Sequence, residues 1–344
     1  MATISDVAAR AGVSIATVSR VLSGQPCTTP ATRDKVLRSV AELNYHLNRS
    51  ASNLRRNQTG VILILTPNMT NPYYASILTG IGDTATALGS AAFICNTRDD
   101  PNRSTAALER LRQHQADGAI LLSIDADATW LADYASDFPL VQCSEFQPDS
   151  TITHVAIDNK AASHDVMAHL LELGHTRIAH LSADNTYPST RDRLAGYQEA
   201  LAQANIDPCP EYVVRGSADY SFASGKDATH TLLALPKPPT AIFCISDTLA
   251  MGAVVAAREA GFNIPADISI TGFDDVAVNE MIQPQLTTLA QPCYELGVTS
   301  ARALFALINH ETTPLAHVLD HHLVVRQSSA KAPAGASEHS GGAR

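Results

Sequence analysis

The chain has 344 residues, 45% hydrophobic and 17% charged, with a formal net charge of −10. That length implies more than one domain, and the balance suits a globular protein with a sizeable core. The longest apolar runs, Val61 to Leu65 and Ala119 to Leu122, are too short to span a bilayer, and the first twenty residues are charged and amphipathic, unlike a signal peptide. The chain therefore reads as cytoplasmic, with no membrane partner. Six cysteines, at 27, 95, 143, 209, 244 and 293, lack any C-x-x-C pair, so they read as small buried apolar residues rather than zinc ligands or a disulfide framework.

The acidic total hides a local reversal. Residues 1–58 hold eight Lys and Arg against three Asp and Glu, a net of +5, which leaves −15 for the rest. A basic module on an acidic body is the electrostatic footprint of phosphate binding. Within that module, Thr3 followed by Asp6 predicts a capped helix start. Ile4, Val7, Ala8 and Ala11 form one apolar stripe, and Gly12 ends the helix. Ser14 caps a second helix starting at Ile15. Two short helices joined by such a Gly-containing turn read as helix-turn-helix. A third helix is predicted from about Pro30 to Asn44, with Val36, Val40 and Leu43 on one face. An ordinary three-helix bundle would explain the stripes but not the charge. Residues 47–58 are rich in Arg, Asn and Ser and read as a linker too short to nucleate a helix alone.

From Gly60 strands and helices alternate. Strand Val61 to Thr66 precedes a helix from Tyr74 to Leu88, strand Ala91 to Thr97, a helix from Ser104 to Gln115 and strand Gly118 to Ile124. A short helix around Trp130 leads to strands Leu140 to Ser144 and His154 to Asp158. The cycle restarts with a helix from Ala161 to Leu173, strand Arg177 to Ala183, a helix from Asp192 to Ala204 and strand Tyr212 to Arg215. It ends with a helix from Ser224 to Leu235, strand Ala241 to Ser246, a helix from Thr248 to Ala260 and strand Ile268 to Phe273. Apolar strands separated by amphipathic helices imply parallel sheets covered on both faces, and two runs in series imply two doubly wound subdomains. The fold class is α/β with an all-α head. Ligands of open parallel sheets sit beyond the carboxyl ends of the strands, which here places a ligand in the cleft between the two sheets. Residues from about Ala330 to the end are small and polar, and read as a disordered tail.

The segment MATISDVAARAGVSIATVSRVLSG resembles the N-terminus of the LacI/GalR family of bacterial transcription regulators, and the likeness continues through nearly the whole chain. It implies a DNA-binding head (1–46), a hinge (47–58) and a ligand-binding and dimerisation domain (59–329) of periplasmic-binding-protein type. It also implies three crossings between subdomains, near Asp158, Ala290 and Leu319. The N-subdomain then takes about 60–157 and 290–319, and the C-subdomain about 158–289 and 320–329. The second helix is expected in the major groove, with Ile15 and Ala16 at base edges. Both are apolar, which suits thymine methyl groups. Arg20, one turn on, is expected at a guanine or a phosphate. Thr17 and Ser19 are expected at phosphates, with Ser5 and Ser14 completing the DNA-binding set. Leu54 falls where the family places a leucine wedge in the minor groove, with Arg55 and Arg56 beside it. The sequence departs from the family at Tyr45-His46-Leu47-Asn48, where a proline often follows the tyrosine.

Several residues fall at strand ends facing the expected cleft. Asn71-Pro72-Tyr73-Tyr74 offers aromatic faces for stacking on a base or sugar ring, with core packing of the tyrosines at a helix start as the lesser alternative. Asp158 ends a strand, Arg191 and Arg193 begin a helix, and Tyr220 follows a strand. Ser246-Asp247 and Phe273-Asp274-Asp275 end two more. By the resemblance, Arg193-Leu194-Ala195-Gly196-Tyr197 matches a motif whose arginine contacts ligand, and Asp274 matches an aspartate that takes ligand hydroxyls or ring nitrogens. Ser144-Glu145-Phe146, His154 to Asn159 and Gly272 to Gly297 are similar to a nucleoside-responsive branch of the family. The effector expected is therefore a nucleoside, with ribose or another sugar as the alternative.

An enzyme is not expected. Gly80-Ile81-Gly82-Asp83-Thr84-Ala85 satisfies G-x-G-x-x-A but lies inside a predicted helix rather than between strand and helix. No P-loop, H-E-x-x-H or G-x-S-x-G occurs. His164 and His169 are badly spaced for a shared metal, and His321 and His322 read as exposed strand positions. No cofactor and no metal are expected. A transport binding protein would need a signal peptide and no head. The resulting expectation is a homodimeric repressor on a pseudo-palindromic operator, released by an inducer.

Overall fold

The computed structural model describes residues 2–22, 29–45, 58–123, 129–148 and 150–333. It divides into two compact units between Thr59 and Gly60. The first holds α1 (Ile4–Ala11), α2 (Ile15–Leu22) and α3 (Pro30–Glu42). Local chemistry sets each boundary. The Asp6 amide donates to Thr3 Oγ1 at 3.3 Å, while the Thr3 amide donates back to the Asp6 carboxylate at 2.8 Å. Gly12 follows at φ +65°, a left-handed turn in which a β-carbon would be strained although the space is open. The Thr17 amide donates to Ser14 Oγ at 3.2 Å, and Thr29 caps α3 ahead of Pro30. Val7, Val18 and Val36 are fully buried where the three helices meet, ringed by Ala8, Ala11 and Val21.

The second unit contains two six-stranded sheets, each named here by its strands in chain order. The first has β1 (Val61–Thr66), β2 (Ala91–Asn96), β3 (Gly118–Leu121), β4 (Leu140–Cys143), β5 (Thr153–Ile157) and β11 (Ala316–Leu319). The second has β6 (Ile178–Ala183), β7 (Val213–Gly216), β8 (Ala241–Cys244), β9 (Ser269–Asp274), β10 (Thr287–Ala290) and β12 (His322–Val324). Their orders are β11-β5-β4-β3-β1-β2 and β12-β10-β9-β8-β6-β7. All pairs are parallel except β10 with β12. The covering helices are α4 (Pro72–Ala87), α5 (Pro101–Arg112), α6 (Thr129–Asp137), α7 (Asn159–Glu172), α8 (Pro188–Gln203), α9 (Phe222–Leu233), α10 (Asp247–Glu259) and α11 (Cys293–Ile308). The chain passes from one sheet to the other after β5, between β10 and α11, and between β11 and β12.

The family-type α/β architecture with a helical head is thus present, with differences at element ends. The helix expected from Asp192 starts at Pro188, because proline at the first helical position presets φ and has no amide to leave unpaired. β10, α11 and β11 had no sequence assignment, while the strand expected at His322 is β12. Gly80 lies in the middle of α4 and serves helix packing: a β-carbon there would sit 2.2 Å from Tyr294 O, and one at Gly297 would sit 2.2 Å from Ile77 O. Only glycine lets α4 and α11 come this close. The proposed disordered tail begins too early at Ala330. The Ala330 amide donates to Ser269 Oγ at 3.1 Å, and the Ala332 amide donates to Leu173 O at 2.8 Å. Small residues here fit between the start of β9 and the end of α7 and find hydrogen-bond partners there, so composition alone misplaced the boundary.

Candidate functional site

The head presents one face of α2. Val18 and Val21 seal the inner side, while Ser14, Ile15, Ala16 and Arg20 are exposed and Thr17 and Ser19 are half-buried. Ile15 is 47% exposed, at the N-terminus of α2. Ser5 is exposed on α1. Leu54, Arg55 and Arg56, with the rest of the hinge from 46 to 57, lie outside the described residues.

In the second unit a chamber of about 30 Å³ lies between the two sheets, beyond the carboxyl ends of their strands. The first-sheet side begins at α4. Asn71 Oδ1 accepts from the Tyr73 amide at 3.0 Å, which fixes the turn that delivers Tyr73 and Tyr74. Their rings meet edge-on with centroids 5.1 Å apart. The Tyr73 hydroxyl donates to Ser144 Oγ at 2.7 Å. Burial keeps both phenols protonated, well above their ordinary range.

The second-sheet side centres on Arg193, which is 6% exposed. Its Nε donates to Asn159 Oδ1 at 2.9 Å, its Nη1 donates to Ile245 O, and its guanidinium lies 3.6 Å over the Phe273 ring. Three contacts on three elements leave the side chain little freedom. Asp274 closes β9 with φ +125°, a backbone that L-residues rarely adopt, and accepts from Gln291 Nε2 at 2.8 Å. Burial, then the neighbouring Asp247 carboxyl, push Asp274 well above the usual carboxylate range, with Arg193 opposing. Asp247 stands behind it, at the start of α10. It accepts from the Val276 amide at 2.9 Å, Asn279 Nδ2 at 2.7 Å and the Thr288 hydroxyl, yet burial still raises it to about 7. Tyr220 and Ser246 complete this wall: the Tyr220 and Thr190 hydroxyls are 2.7 Å apart, and Ser246 Oγ caps α10.

Two residue pairs, Glu145 with Ser189 and Tyr187 with Asp99, are hydrogen-bonded from one subdomain to the other. Glu145, in the loop after β4, accepts from the Ser189 amide at 3.2 Å and from the Ser189 hydroxyl. Burial raises its carboxyl to about 7 against those two donors. The Tyr187 hydroxyl donates to Asp99.

Tyr73, Tyr74, Arg193, Tyr220, Ser246 and Asp274 therefore share one chamber. Two other expected residues do not reach it. Asp158 caps α7 instead, accepting from the Lys160 and Ala161 amides at 3.1 and 2.9 Å, and its place is taken by Asn159. Arg191 is exposed and pairs with Asp192 at 3.1 Å. The early start of α8 explains this. Two helical steps of about 100° put Arg191 and Arg193 on opposite faces. Sequence reasoning did not single out Glu145, Ser189, Asn159 or Gln291 as site residues. Pro188 at a helix start was the one available signal for Ser189; the other three carry none without knowledge of the opposing sheet. Among the described residues no three His, Cys, Asp or Glu side chains are placed to hold a metal, and no helix is long and apolar enough to cross a membrane.

Residues 3–48 match the bacterial regulatory proteins of the lacI family, and residues 167–329 match the periplasmic binding protein-like domain. The chain is 36% identical over 298 residues to the HTH-type transcriptional repressor CytR of Escherichia coli (strain K12), covering 86% of each. A lac repressor dimer bound to operator and the anti-inducer ONPF superposes with a TM-score of 0.86 at 30% identity, over 96% of this chain and 99% of that one. A complex of the transcriptional regulator CelR with cellobiose superposes with a TM-score of 0.73 at 31% identity, over 96% and 100%. The chain belongs to the LacI family of bacterial regulatory proteins, DNA-binding transcription regulators that carry an effector-binding domain.

Proposed function

We propose that the protein is a homodimeric repressor whose operator affinity is set by a nucleoside in the interdomain chamber. The observation that carries this is the chamber itself. One held guanidinium, two buried carboxyls raised toward neutrality and three tyrosines form a polar, ring-lined site with little net charge. Such a site suits a neutral ligand with a stackable base and sugar hydroxyls. Kinship with CytR supports the nucleoside reading. The cellobiose complex of a similar regulator supports a sugar as the second reading. At about 30 Å³ the chamber holds roughly one water. A nucleoside enters when the Glu145–Ser189 and Asp99–Tyr187 bonds part.

In the head, Ile15 and Ala16 read thymine methyls, Arg20 reads a guanine or phosphate, and Ser5, Ser14, Thr17 and Ser19 position the module. Leu54 and Arg55 of the hinge take the minor groove. A second copy covers the apolar surface at the first sheet's edge, where Leu88, Phe93 and Ile94 are 54%, 56% and 44% exposed. The two heads then take the halves of a pseudo-palindrome. The effector acts as an inducer, and the linkage is reciprocal: operator-bound protein binds it more weakly.

A thermal-shift screen with cytidine, uridine, adenosine, free bases, ribose and disaccharides tests the effector. Nucleosides should raise the melting temperature, and bases or ribose alone should not. A response to sugars alone would remove the nucleoside and leave the regulator. DNA selected by the protein from a random pool should be pseudo-palindromic, and the nucleoside found should weaken that binding.

A further inference from the structure

The cleft holds a second, larger cavity that shares no lining residue with the chamber. It measures about 260 Å³ and lies where β3 and β6 end. Leu121 and Leu131, 3% and 1% exposed, floor it, and Trp130 and Pro101 wall it on the first-sheet side. Tyr187 and Ala218 face them from the second-sheet side. The crevice beyond parallel strand ends is where such sheets bind ligands.

Trp130 is held from behind. Its ring meets Tyr134 edge-on, with centroids 6.0 Å apart. Tyr134 in turn donates to Glu109 at 3.2 Å and lies under the Arg112 guanidinium at 4.3 Å. An aromatic wall braced in this way loses little freedom when a ring stacks on it. The charged side chains that line the cavity are both acids, Asp99 and Asp184, and among the described residues no Lys or Arg lines it. An anion is therefore repelled.

We propose that this cavity is a binding site for a second small ligand, a single aromatic or heteroaromatic ring that is neutral or cationic. Because both subdomains line it, a bound ring makes all its contacts only when they are together. It therefore favours the closed cleft, whose chamber is too small for the effector, and couples negatively to it. The site does not depend on the effector's identity.

Trp130 is the only tryptophan, so its emission reports occupancy of this cavity directly. The probes are benzamide, benzamidine and benzoate at millimolar concentration, which share a ring and differ in charge. Benzamide and benzamidine should give a saturable blue shift, and benzoate at least tenfold weaker binding. Arg191→Ala, an exposed substitution that lines neither cavity, should leave the shift unchanged. Ser104→Phe, from a half-buried position on α5, should fill the cavity and abolish it; Ala218→Leu serves the same end if the first variant melts early. The proposal is overturned by no saturable shift with either favoured probe, by equal binding of benzoate, or by a shift that persists in a folded filling variant.

Discussion

The head and the cleft unit solve recognition in opposite ways. In the head, the residues proposed to face DNA are close in sequence, largely exposed and positioned by caps a few residues away: Thr3, Gly12 and Ser14 set α2, and α2 turns Ile15, Ala16 and Arg20 outward. In the cleft, the functional groups come from distant stretches of chain, are buried, and hold one another in place. Arg193 alone is fixed by Asn159, Ile245 and Phe273. A local device tolerates change at its surface. A mutual one fails when a single member is removed.

The largest expected effect tests the mutual device. Arg193→Ala leaves buried carboxyls without their cation, and removing one member of a buried charged set costs about 3–5 kcal/mol. Effector binding, read by calorimetry, should fall by a hundredfold or more while the head keeps its fold. Unchanged binding would break the comparison.

Val18→Ala tests the head's small core. Deleting two buried methyls with partial collapse should cost about 2 kcal/mol. Scanning calorimetry should show the head's transition lowered and the cleft unit's unmoved.

Proton linkage distinguishes the units next. Burial raises Glu145 and Asp247 from 4.5 and 3.8 to about 7, so the folded chamber holds protons that the unfolded chain has released. Their contribution to stability should therefore fall as pH rises from about 4 to about 7 and level off above, with a slope of about 1.4 kcal/mol per pH unit for each group at most, while His180, which burial lowers to about 3, contributes with the opposite sign. Glu145→Gln should remove one group's share, so that the wild type loses stability relative to the variant as pH rises through this window. A stability difference between the two that does not change with pH would contradict the burial argument.

Ile15→Ser removes an exposed apolar side chain that no core contact needs. Operator affinity should drop by roughly 1–2 kcal/mol, the worth of one base contact, with no change in melting temperature. Arg191→Ala should do least. Its pair with Asp192 is solvent-exposed, and such pairs contribute about 0–1 kcal/mol. Effector binding should be unaltered, which separates it from Arg193 two residues away.

The sequence by itself determined what local chemistry and periodicity can carry. The capping box at Thr3, the stop at Gly12, the alternation of apolar strands with helices and the family motif from Thr3 onward were all legible, because each is written in neighbouring residues. The run at Arg193 was legible for the same reason. Tertiary structure decided the rest. Whether Arg191 or Arg193 faces the cleft depended on where α8 begins, and Pro188 moved that start by four residues. Asp158 looked like a site carboxylate but is used by two helix amides, and Asn159 took the inward position. Glu145 meets Ser189 only because two sheets, built from separate runs of chain, close on each other. No short-range pattern encodes that meeting, since the partners are 44 residues apart and follow strands of different sheets.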